Sequence, residues 1–462
     1  MALPYNSLGM KSYLIILPII FTSLLSPSLT AEEDRPNIVL ILADDQGWNA
    51  LSTRMDPNEP GSGSTYYQTP NLVTFAKQGM RFSRAYSAAP TCSPSRHAIQ
   101  WGRTPSSLGL FAQCPPEWLK AENRDAFPNV LKRARPEYIT AHLGKWHMHR
   151  TPNELGFDVH DGETGNQNGN AEFDPEDPKL IFSLSRRANT FIEDQVKADR
   201  PFFIQISHYA DHLQYRAKPE TIEQYETEHA SKATKYQNSP LWAAMNENLD
   251  TGVGMVLDKI DELGIAENTY VIYTGDNGYE SKVDHWKPVK DRIFHKAYPL
   301  LSHKYMISEG GLRVPMIIRG PGIEAGAFSK TPVMGFDFFP TILDILGVKE
   351  QVPKSVEGGS LLQLLTLQSD GVERSNPYLV FRYTKTAGTF DIAIVQGKYK
   401  LMKEIKSDTI HLWDLEQDLG EQNDLANKYP EKASELYTAM TDYFESVGWN
   451  EKEARLFPWR NK

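Results

Sequence analysis

The chain has 462 residues, of which 40% are hydrophobic and 23% charged, and these values exclude a disordered, collagen-like or coiled-coil chain as the main architecture. Its 49 basic and 59 acidic side chains give a net charge of -10 without a long basic run, which disfavours a nucleic-acid-binding protein. Two cysteines are too few for a disulfide scaffold or a four-cysteine zinc site.

Residues 1–30 have the pattern of a secretory signal peptide. A single lysine, Lys11, precedes an apolar run over residues 13–25, and small residues follow that run. The run is shorter than the roughly 20 residues needed to span a bilayer, which favours a cleaved signal over a membrane anchor. No later segment is apolar over such a length, and the sequence has no Asn-x-Ser/Thr glycosylation site. We therefore predict an exported chain, periplasmic or secreted and of bacterial type, whose mature form has no transmembrane segment.

Beyond the signal, the sequence alternates strand-like and helix-like segments. Residues 37–43 form an apolar, β-branched run without polar alternation, which indicates a strand buried on both faces. Similar runs lie at residues 138–143, 202–207, 269–274 and 314–318. Apolar residues recur at helical spacing over residues 253–263 and 336–346. This order predicts an α/β domain over residues 35–370, in which helices sandwich a central, mostly parallel mixed sheet.

The last part of the chain has a different pattern. Short strand-like runs lie at residues 378–383, 392–396 and 398–403, and a helical pattern follows over residues 428–447. This pattern predicts a smaller C-terminal α+β subdomain over residues 371–462.

Acidic and amide side chains follow two of the predicted strands. Asp44 and Asp45 come directly after the first strand, and Asp276 and Asn277 come shortly after the strand that begins at Thr269. Because ligands of open α/β sheets bind at the carboxyl ends of the strands, we expect these side chains to meet. A simple turn would explain either motif alone. Adjacent carboxylates are costly without a cation, however, and oxygen ligands in this number suit Ca2+ or Mg2+, so the pair of motifs favours a metal site.

Basic and titratable side chains lie next to the other predicted strands. Lys145 and His147 come after the second strand, His208 and His212 after the third, and Lys304 precedes the fifth. One such residue alone is usually structural or solvated. Together, and beside a divalent metal, they fit the binding of an oxyanion such as sulfate or phosphate, with acid–base groups at hand.

Three nearby histidines leave a zinc site open as an alternative. They are His142, His147 and His149. Because His142 would lie within a strand and the neighbouring ligands are mostly oxygens, the pattern favours an oxygen-ligated metal over zinc.

The pentapeptide CSPSR at residues 92–96 distinguishes between these possibilities. Taken alone, a cysteine near an arginine indicates a reactive thiol, and a disulfide with Cys114 is the simpler alternative. The pentapeptide, however, resembles the signature of the formylglycine-dependent sulfatases, which belong to the alkaline-phosphatase-like superfamily. Further segments that resemble motifs of that family lie at residues 37–46, 69–72, 144–147, 156–158, 275–278, 309–315 and 412–415. By their number, order and spacing, the chain is identified as a member of the family.

The resemblance implies a modified cysteine and one bound calcium ion. A maturation enzyme would oxidise Cys92 to formylglycine (3-oxoalanine), whose hydrated aldehyde would be the nucleophile. The implied calcium ligands are Asp44, Asp45, Asp276, Asn277 and an oxygen of modified Cys92. One hydroxyl of the hydrate would attack sulfur and expel the alcohol, and the other would then eject sulfate and restore the aldehyde.

The resemblance also implies roles for the basic residues. Arg96 would hold the formylglycine, and Lys145 and His147 would lie beside its hydroxyls. His212 and Lys304 would bind the sulfate and help to protonate the leaving alcohol. The cations would offset the charge of the sulfate ester and stabilise the transition state.

Several positions depart from the family pattern. Gln100 and Trp101 stand where the family usually has Leu and Thr, which predicts less efficient formation of formylglycine. Asp211 precedes His212 where many members have proline, and we expect Asp211 and Trp101 to reshape the substrate pocket. His208 is nearby, but the spacing from the strand favours His212 as the site histidine.

We therefore predict a sulfuric ester hydrolase that releases inorganic sulfate from a sulfate monoester, by family analogy a sulfated sugar or polysaccharide. Its partners would be that substrate and the maturation enzyme, without nucleic acid. Two alternatives stay open. One is a phosphoric or phosphonic monoester hydrolase of the same superfamily, and the other is a non-catalytic binder of sulfated glycans in which Cys92 stays unmodified.

Overall fold

The described chain is built around an eight-stranded mixed sheet. The computed structural model describes Met1 and residues 35–110, 119–171, 173–280, 297–386, 389–405 and 407–449. The strands, in chain order, are β1 (Asn37–Ala43), β2 (Met80–Phe82), β3 (Ala85–Tyr86), β4 (Ile139–Gly144), β5 (Val159–His160), β6 (Phe202–Ser207), β7 (Thr269–Gly275), β8 (Met316–Arg319), β9 (Phe328–Ser329), β10 (Val333–Met334), β11 (Leu379–Thr386), β12 (Thr389–Gln396), β13 (Tyr399–Glu404) and β14 (Thr409–Asp414). The central sheet has the order β5-β4-β6-β1-β7-β8-β2-β9, while β10 pairs with β3 and β11 to β14 form a separate sheet.

The middle of the central sheet is parallel. Strands β4, β6, β1 and β7 are parallel neighbours, whereas β8 runs antiparallel to both β7 and β2. The predicted α/β fold with a mostly parallel mixed sheet is therefore confirmed. The run at residues 314–318 corresponds to β8. The first residue of β8, Met316, lies opposite Thr274 near the carboxyl end of β7. The segment that precedes β8 consequently reaches the same sheet edge as the ends of β1 and β7.

Strand β1 has the two-sided burial that its sequence predicts. All seven of its residues are buried, and it lies between β6 and β7. Val39 and Ile41 belong to one hydrophobic core, whereas Ile38, Leu40 and Leu42 belong to the core on the other face. Because successive strand residues point to opposite faces, a continuous apolar run is required wherever both faces are covered.

Helices cover both faces of the central sheet. In chain order they are α1 (Pro70–Gln78), α2 (Cys92–Trp101), α3 (Phe127–Ala134), α4 (Asn166–Gly169), α5 (Ile181–Lys197), α6 (Pro219–Glu226), α7 (Pro240–Glu262), α8 (Glu309–Leu312), α9 (Phe338–Ile345), α10 (Leu362–Leu365) and α11 (Pro430–Ser446). Helices α1, α5 and α7 contribute to one core, and α2, α3 and α9 to the other. The predicted helix over residues 253–263 is the last part of α7, and Gly264 beyond it has a φ of 66°, a left-handed conformation that glycine favours.

The C-terminal sheet is an antiparallel meander covered by one helix. Strands β11 to β14 pair in sequence, and Leu436 and Met440 of α11 share a core with Ile392. On the other face of the sheet, Phe381 shares a core with Tyr86 of β3. The predicted α+β arrangement is confirmed, although the sequence did not predict β14.

The described residues from Pro36 onward form one compact unit. Within the described ranges, no helix combines the length and the apolar character needed to cross a membrane. Apart from Met1, the predicted signal peptide lies outside the described residues. The signal peptide and the boundary at residue 371 therefore stay predictions.

Candidate functional site

The acidic and amide residues predicted to bind metal meet at the carboxyl ends of β1 and β7. The two strands are paired neighbours, with Ala43 opposite Gly275, so the residues that follow them are adjacent. The Asp45 backbone N–H donates to Asp276 Oδ1 at 3.1 Å, and Asn277 Nδ2 donates to Asp45 Oδ1 at 2.8 Å. All four predicted metal-binding residues of these two motifs are buried.

Cys92 lies beside these residues, at the first position of α2. It is 6% exposed, and one ligand atom from each of Asp44, Cys92 and Asp276 lies within 4.8 Å of the other two. Within the described ranges, no other group of three His, Cys, Asp or Glu side chains comes together in this way. The three histidines of the alternative zinc site therefore do not form it, and His142 Nε2 instead contacts Ser207 Oγ at 3.2 Å.

Among the described residues, two buried oxygens of the predicted metal-binding side chains have no hydrogen-bond partner. They are Asp44 Oδ1 and Asn277 Oδ1. Asn277 Nδ2 donates to Asp45 Oδ1 and, at 2.9 Å, to Gly278 O, so the donors of this amide are engaged while its oxygen is left over. Buried acceptors without a donor are costly, and a hard cation would satisfy them. The residues present therefore fit a Ca2+ or Mg2+ ion.

Arg96 and Lys145 form a linked pair of cations beside Asp44 and Asp276. Arg96 Nε donates to Asp276 Oδ2 at 2.9 Å, and Arg96 Nη2 lies 2.8 Å from the same oxygen. Arg96 Nη1 donates to the Lys145 backbone carbonyl at 2.5 Å, and Lys145 Nζ donates to Asp44 Oδ2. The guanidinium therefore fixes both a carboxylate and the backbone that carries Lys145.

Lys304 brings a third cation from the loop before α8. Its Nζ lies 2.7 Å from Asp45 Oδ1 and 2.8 Å from Asp45 Oδ2, and its backbone N–H donates to Tyr279 O at 2.8 Å. Three carboxylates thus meet three cations. A divalent ion added to this balanced cluster would leave a net positive charge, which favours an anionic substrate.

Burial and neighbouring charges push the pKa values of two carboxyl groups apart. Burial opposes ionisation of Asp44, but Lys145, His212 and Arg96 hold its pKa well below the usual range. Burial, followed by the negative charge of Asp44, raises the pKa of Asp276 to about 6. Two carboxylates this close resist ionising together, and a bound divalent cation would remove that penalty.

His147 is held as a neutral imidazole. It has a φ of 53°, and its backbone N–H donates to Thr164 O at 2.8 Å. Its buried Nδ1 has no hydrogen-bond partner in the part of the chain that the structure describes. Burial, followed by the charges of Lys145 and Arg96, lowers the pKa of His147 to about 3. A neutral ring with an unengaged nitrogen can accept a proton.

Of the two histidines that follow β6, only His212 lies within 4 Å of a carboxylate of the site. Its Nε2 is 3.8 Å from Asp45 Oδ2, and its Nδ1 contacts Leu213 O at 2.5 Å. His208 is fully buried, and neither of its ring nitrogens has a hydrogen-bond partner within the described ranges. Burial lowers the pKa of His208 to about 4, so this ring is a neutral part of the interior.

Unmodified Cys92 is not a pre-activated thiolate. Burial raises the pKa of its thiol, although Lys145 and Lys304 act in the opposite direction. A reactive cysteine needs a lowered pKa, so the environment does not support the interpretation as a reactive thiol. Cys114, the partner in the disulfide alternative, lies outside the described residues.

Gln100 and Trp101, which depart from the family pattern, fill the core. Gln100 Nε2 donates to Gln205 Oε1 at 2.7 Å, and Trp101 Nε1 donates to Glu122 O at 3.0 Å. Trp101 is 1% exposed and stacks on His97 with ring centroids 5.7 Å apart. Trp101 belongs to a hydrophobic core cluster, and its expected part in shaping the substrate pocket stays a prediction.

Three further residues lie beside the site, and the sequence predicted a role for only one of them, Asp211. Asp211 is buried, and its backbone N–H donates to the Asp44 carbonyl, so it belongs to the floor of the site. Lys179 and Asn170 both donate to the Leu213 carbonyl, behind His212. No motif or spacing around these two residues distinguishes them in the sequence.

Family models and known proteins match the chain over most of its length. The Sulfatase family model matches residues 36–348, and the model of the C-terminal region of N-sulphoglucosamine sulphohydrolase matches residues 299–447. An ulvan-active sulfatase of Formosa agariphila is 26% identical over 397 residues, which cover 78% of this chain and 70% of that protein. An N-acetylgalactosamine-6-sulfatase of Rattus norvegicus is 28% identical over 448 residues, which cover 88% of this chain and 76% of that protein. The structure of Ps i-CgsB in complex with k-i-k-neocarrahexaose matches with a TM-score of 0.72 at 23% identity, covering 92% of this chain and 95% of that one.

Proposed function

The chain belongs to the sulfatase family and is a sulfatase, and we propose that it releases inorganic sulfate from a sulfate monoester of a sugar or polysaccharide. The observation that carries the proposal is the meeting of Asp44, Cys92 and Asp276 within 4.8 Å, beside three buried cations. The proposed substrate class is supported by two relatives, an ulvan-active sulfatase and an N-acetylgalactosamine-6-sulfatase.

We propose that one Ca2+ is held by the strand-end residues together with modified Cys92. The ligands would be Asp44, Asp45, Asp276, Asn277 and an oxygen of the modified Cys92. The unpartnered oxygens of Asp44 and Asn277 support this set. A carboxylate has about four lone-pair sites, so the contact of Asp45 with Lys304 leaves it able to bind metal. The ion would supply positive charge to the sulfate oxygens.

We propose that Cys92 is converted to formylglycine by a maturation enzyme. Its hydrate would supply one hydroxyl to attack sulfur and a second whose deprotonation releases sulfate. The residues around Cys92 suit this chemistry. Lys145 and Arg96 add positive charge, and His147 offers a ring nitrogen, Nδ1, that has no hydrogen-bond partner among the described residues and can take the proton of the hydrate.

On the leaving-group side we propose His212 and Lys304. His212 Nε2 and Lys304 Nζ would contact the sulfate ester and share the protonation of the departing oxygen. Burial opposes the charge of Lys304, but Asp45 more than offsets it and raises the pKa of the ammonium. Lys304 is therefore present as the ammonium ion at neutral pH.

The first test is the mass of the peptide that spans Cys92 in protein made in a host with the maturation enzyme. Formylglycine lowers the mass by about 18 Da relative to the thiol, and the hydrate returns that mass. Protein that carries the aldehyde should release sulfate from sulfated sugars, whereas Cys92→Ala should not. Modified protein that releases no sulfate from sugar or aryl sulfates would contradict the proposal. Faster turnover of phosphate esters would instead favour a phosphoric ester hydrolase.

We also propose that residues 1–30 direct export and that the mature chain is periplasmic or secreted. The support is the short apolar run after Lys11. N-terminal sequencing of protein recovered from the periplasm and the medium should find a chain that lacks this segment. Full-length chain confined to the cytoplasm would contradict the proposal.

A further inference from the structure

A lysine near the site is buried without a charged partner among the described residues. Lys179 lies in the short turn Pro178–Leu180 before α5 and is 3% exposed. Its Nζ donates to Asn170 Oδ1 at 2.6 Å and to Leu213 O at 3.4 Å, which are both neutral oxygens. Burial lowers its pKa to about 8, and the charge of Asp44 acts in the opposite direction. Because an ammonium buried in this way is costly, its presence beside the site indicates a function.

The contacts of Lys179 converge on one backbone carbonyl. Leu213 O accepts hydrogen bonds from Lys179, from Asn170 Nδ2 at 3.2 Å and from His212 Nδ1 at 2.5 Å. Because a carbonyl can only accept, His212 Nδ1 must carry a hydrogen. Nε2 is then the nitrogen that faces the site, 3.8 Å from Asp45 Oδ2. The direction of this carbonyl therefore sets both the orientation and the tautomer of the ring.

The segments that hold this carbonyl are themselves anchored. Asp177 Oδ1 accepts from the Phe182 N–H at 2.7 Å, which ties the turn of Lys179 to the first turn of α5. Asn170 Oδ1 also accepts from the Gln214 N–H at 3.2 Å, so Asn170 bonds to both sides of the 213–214 peptide. The carbonyl is thus supported from two directions.

We propose that Lys179, with Asn170, is a positioning residue that holds the Leu213 carbonyl and thereby directs His212 Nε2 towards the sulfate ester. This role rests on the proposed function, in which His212 acts as the imidazolium ion. Its Nδ1–H stays bonded to the Leu213 carbonyl, and the proton on Nε2 passes to the leaving oxygen. Lys179 touches no reacting atom and acts through the carbonyl. Its loss should therefore matter most for substrates whose departing oxygen needs a proton.

The kinetic test compares two aryl sulfates, para-nitrophenyl sulfate with a good leaving group and phenyl sulfate with a poor one. For Lys179→Met we expect kcat for phenyl sulfate to fall by about 10- to 100-fold with KM little changed, and a smaller loss for para-nitrophenyl sulfate. His212→Ala should show the same preference more strongly. The matched control is Lys218→Met, because Lys218 Nζ pairs with Glu176 at 3.0 Å, and it should behave as wild type. Equal losses on both substrates, or a change in KM alone, would overturn the proposal.

A second measurement does not depend on activity. Crystal structures of the wild type and of Lys179→Met should differ at the contact between His212 Nδ1 and Leu213 O, which we expect to be lost in the variant. An unchanged ring in the variant would overturn the proposal. Lys179→Gln keeps a hydrogen-bond donor without the charge, should lose less activity and serves if the methionine variant does not fold. A wild type that releases no sulfate would contradict the proposed function, while the crystal comparison would still decide the role of Lys179.

Discussion

The strand-end site and the cluster around Lys400 both bury carboxylates beside cations, but the oxygens of the two clusters are engaged differently. Lys400 Nζ, from β13, lies 2.9 Å from Glu309 Oε1 and 2.8 Å from Glu421 Oε1. Glu309 Oε2 accepts from Arg313 Nε at 2.7 Å and from the Tyr86 hydroxyl at 3.0 Å. Both oxygens of Glu309 are therefore used within the protein.

The difference lies in how near a cation is to the oxygens without a hydrogen-bond partner. In the Lys400 cluster that oxygen is Glu421 Oε1, 2.8 Å from the Lys400 ammonium, whereas at the strand-end site Asp44 Oδ1 is 3.9 Å from Arg96 Nη2. Asp44 Oδ1 and Asn277 Oδ1 have no donor. Burial raises the pKa of Asp276 to about 6, whereas Lys400 and Arg313 outweigh burial and lower the pKa of Glu309 to about 2. Buried charge that the protein satisfies by itself is structural, and buried charge with acceptors left over is suited to a cation. Four predictions test this distinction.

The largest effect is expected from removing the shared cation of the Lys400 cluster. Lys400→Met would leave Glu309 and Glu421 without their shared cation, and removing one partner of a buried ion pair costs about 3–5 kcal/mol. Denaturant unfolding should show this loss in the free energy of unfolding. The control is Lys428→Met, an exposed lysine, which should change stability little. If the free energy of unfolding falls by about 1 kcal/mol or less, as for a surface ion pair, Lys400 is not the buried partner that both glutamates need.

At the strand-end site we expect a substitution to reduce activity strongly without reducing stability. Asp276→Asn should lower kcat by about 100- to 1,000-fold, because one group that organises charge around the sulfate is lost. The metal-free variant should unfold at the same or a higher denaturant concentration than metal-free wild type. Burial and Asp44 disfavour the charge that is removed, and together they outweigh its pairing with Arg96. Destabilisation as large as that of Lys400→Met would make Asp276 a structural residue instead.

Calcium should stabilise the folded protein by binding to the strand-end site. At a Ca2+ concentration about 100 times its Kd, the free energy of unfolding should rise by about 2.7 kcal/mol, because the ion binds only the folded chain. Thermal unfolding in EDTA and at increasing Ca2+ would measure this increase. Lys400→Met should keep the increase, and Asp276→Asn should lose most of it. An equal shift in Asp276→Asn would place the ion elsewhere.

The smallest effect is expected in acid. Glu309 has a pKa of about 2 in the folded protein against an ordinary value of 4.5. A carboxyl with a lowered folded pKa stabilises the protein above its unfolded pKa, and this contribution is lost as the pH falls through the folded value. Wild type should therefore lose stability between these two pH values more steeply than Glu309→Gln. Parallel profiles in acid denaturation experiments would show that the Lys400 cluster does not protect Glu309.

Features carried by local patterns were predictable from the sequence. The continuous apolar run of β1 predicts burial on both faces, and the strand is buried throughout. The residues after β1 and β7 follow directly from where those strands end, so the meeting of Asp45 with Asp276 and Asn277 needed only a parallel sheet. The CSPSR segment and the order of the other motifs indicated the sulfatase family.

Features that depend on distant segments were not predictable. Lys179 and Leu213 are 34 residues apart, and Glu309 and Lys400 are 91 apart, so no local pattern marks these pairs. Trp101, which follows a motif of the site, lies in the core that α2 shares with α3 and α9.

The sequence by itself determined the five longest strands of the central sheet, the chemical groups at their ends and the family. The tertiary structure alone decided which buried charges are satisfied, which oxygens remain for a cation and which way His212 points. The physical reason is that burial, pKa and hydrogen-bond satisfaction are properties of the packed surroundings of a side chain and not of its neighbours in the chain.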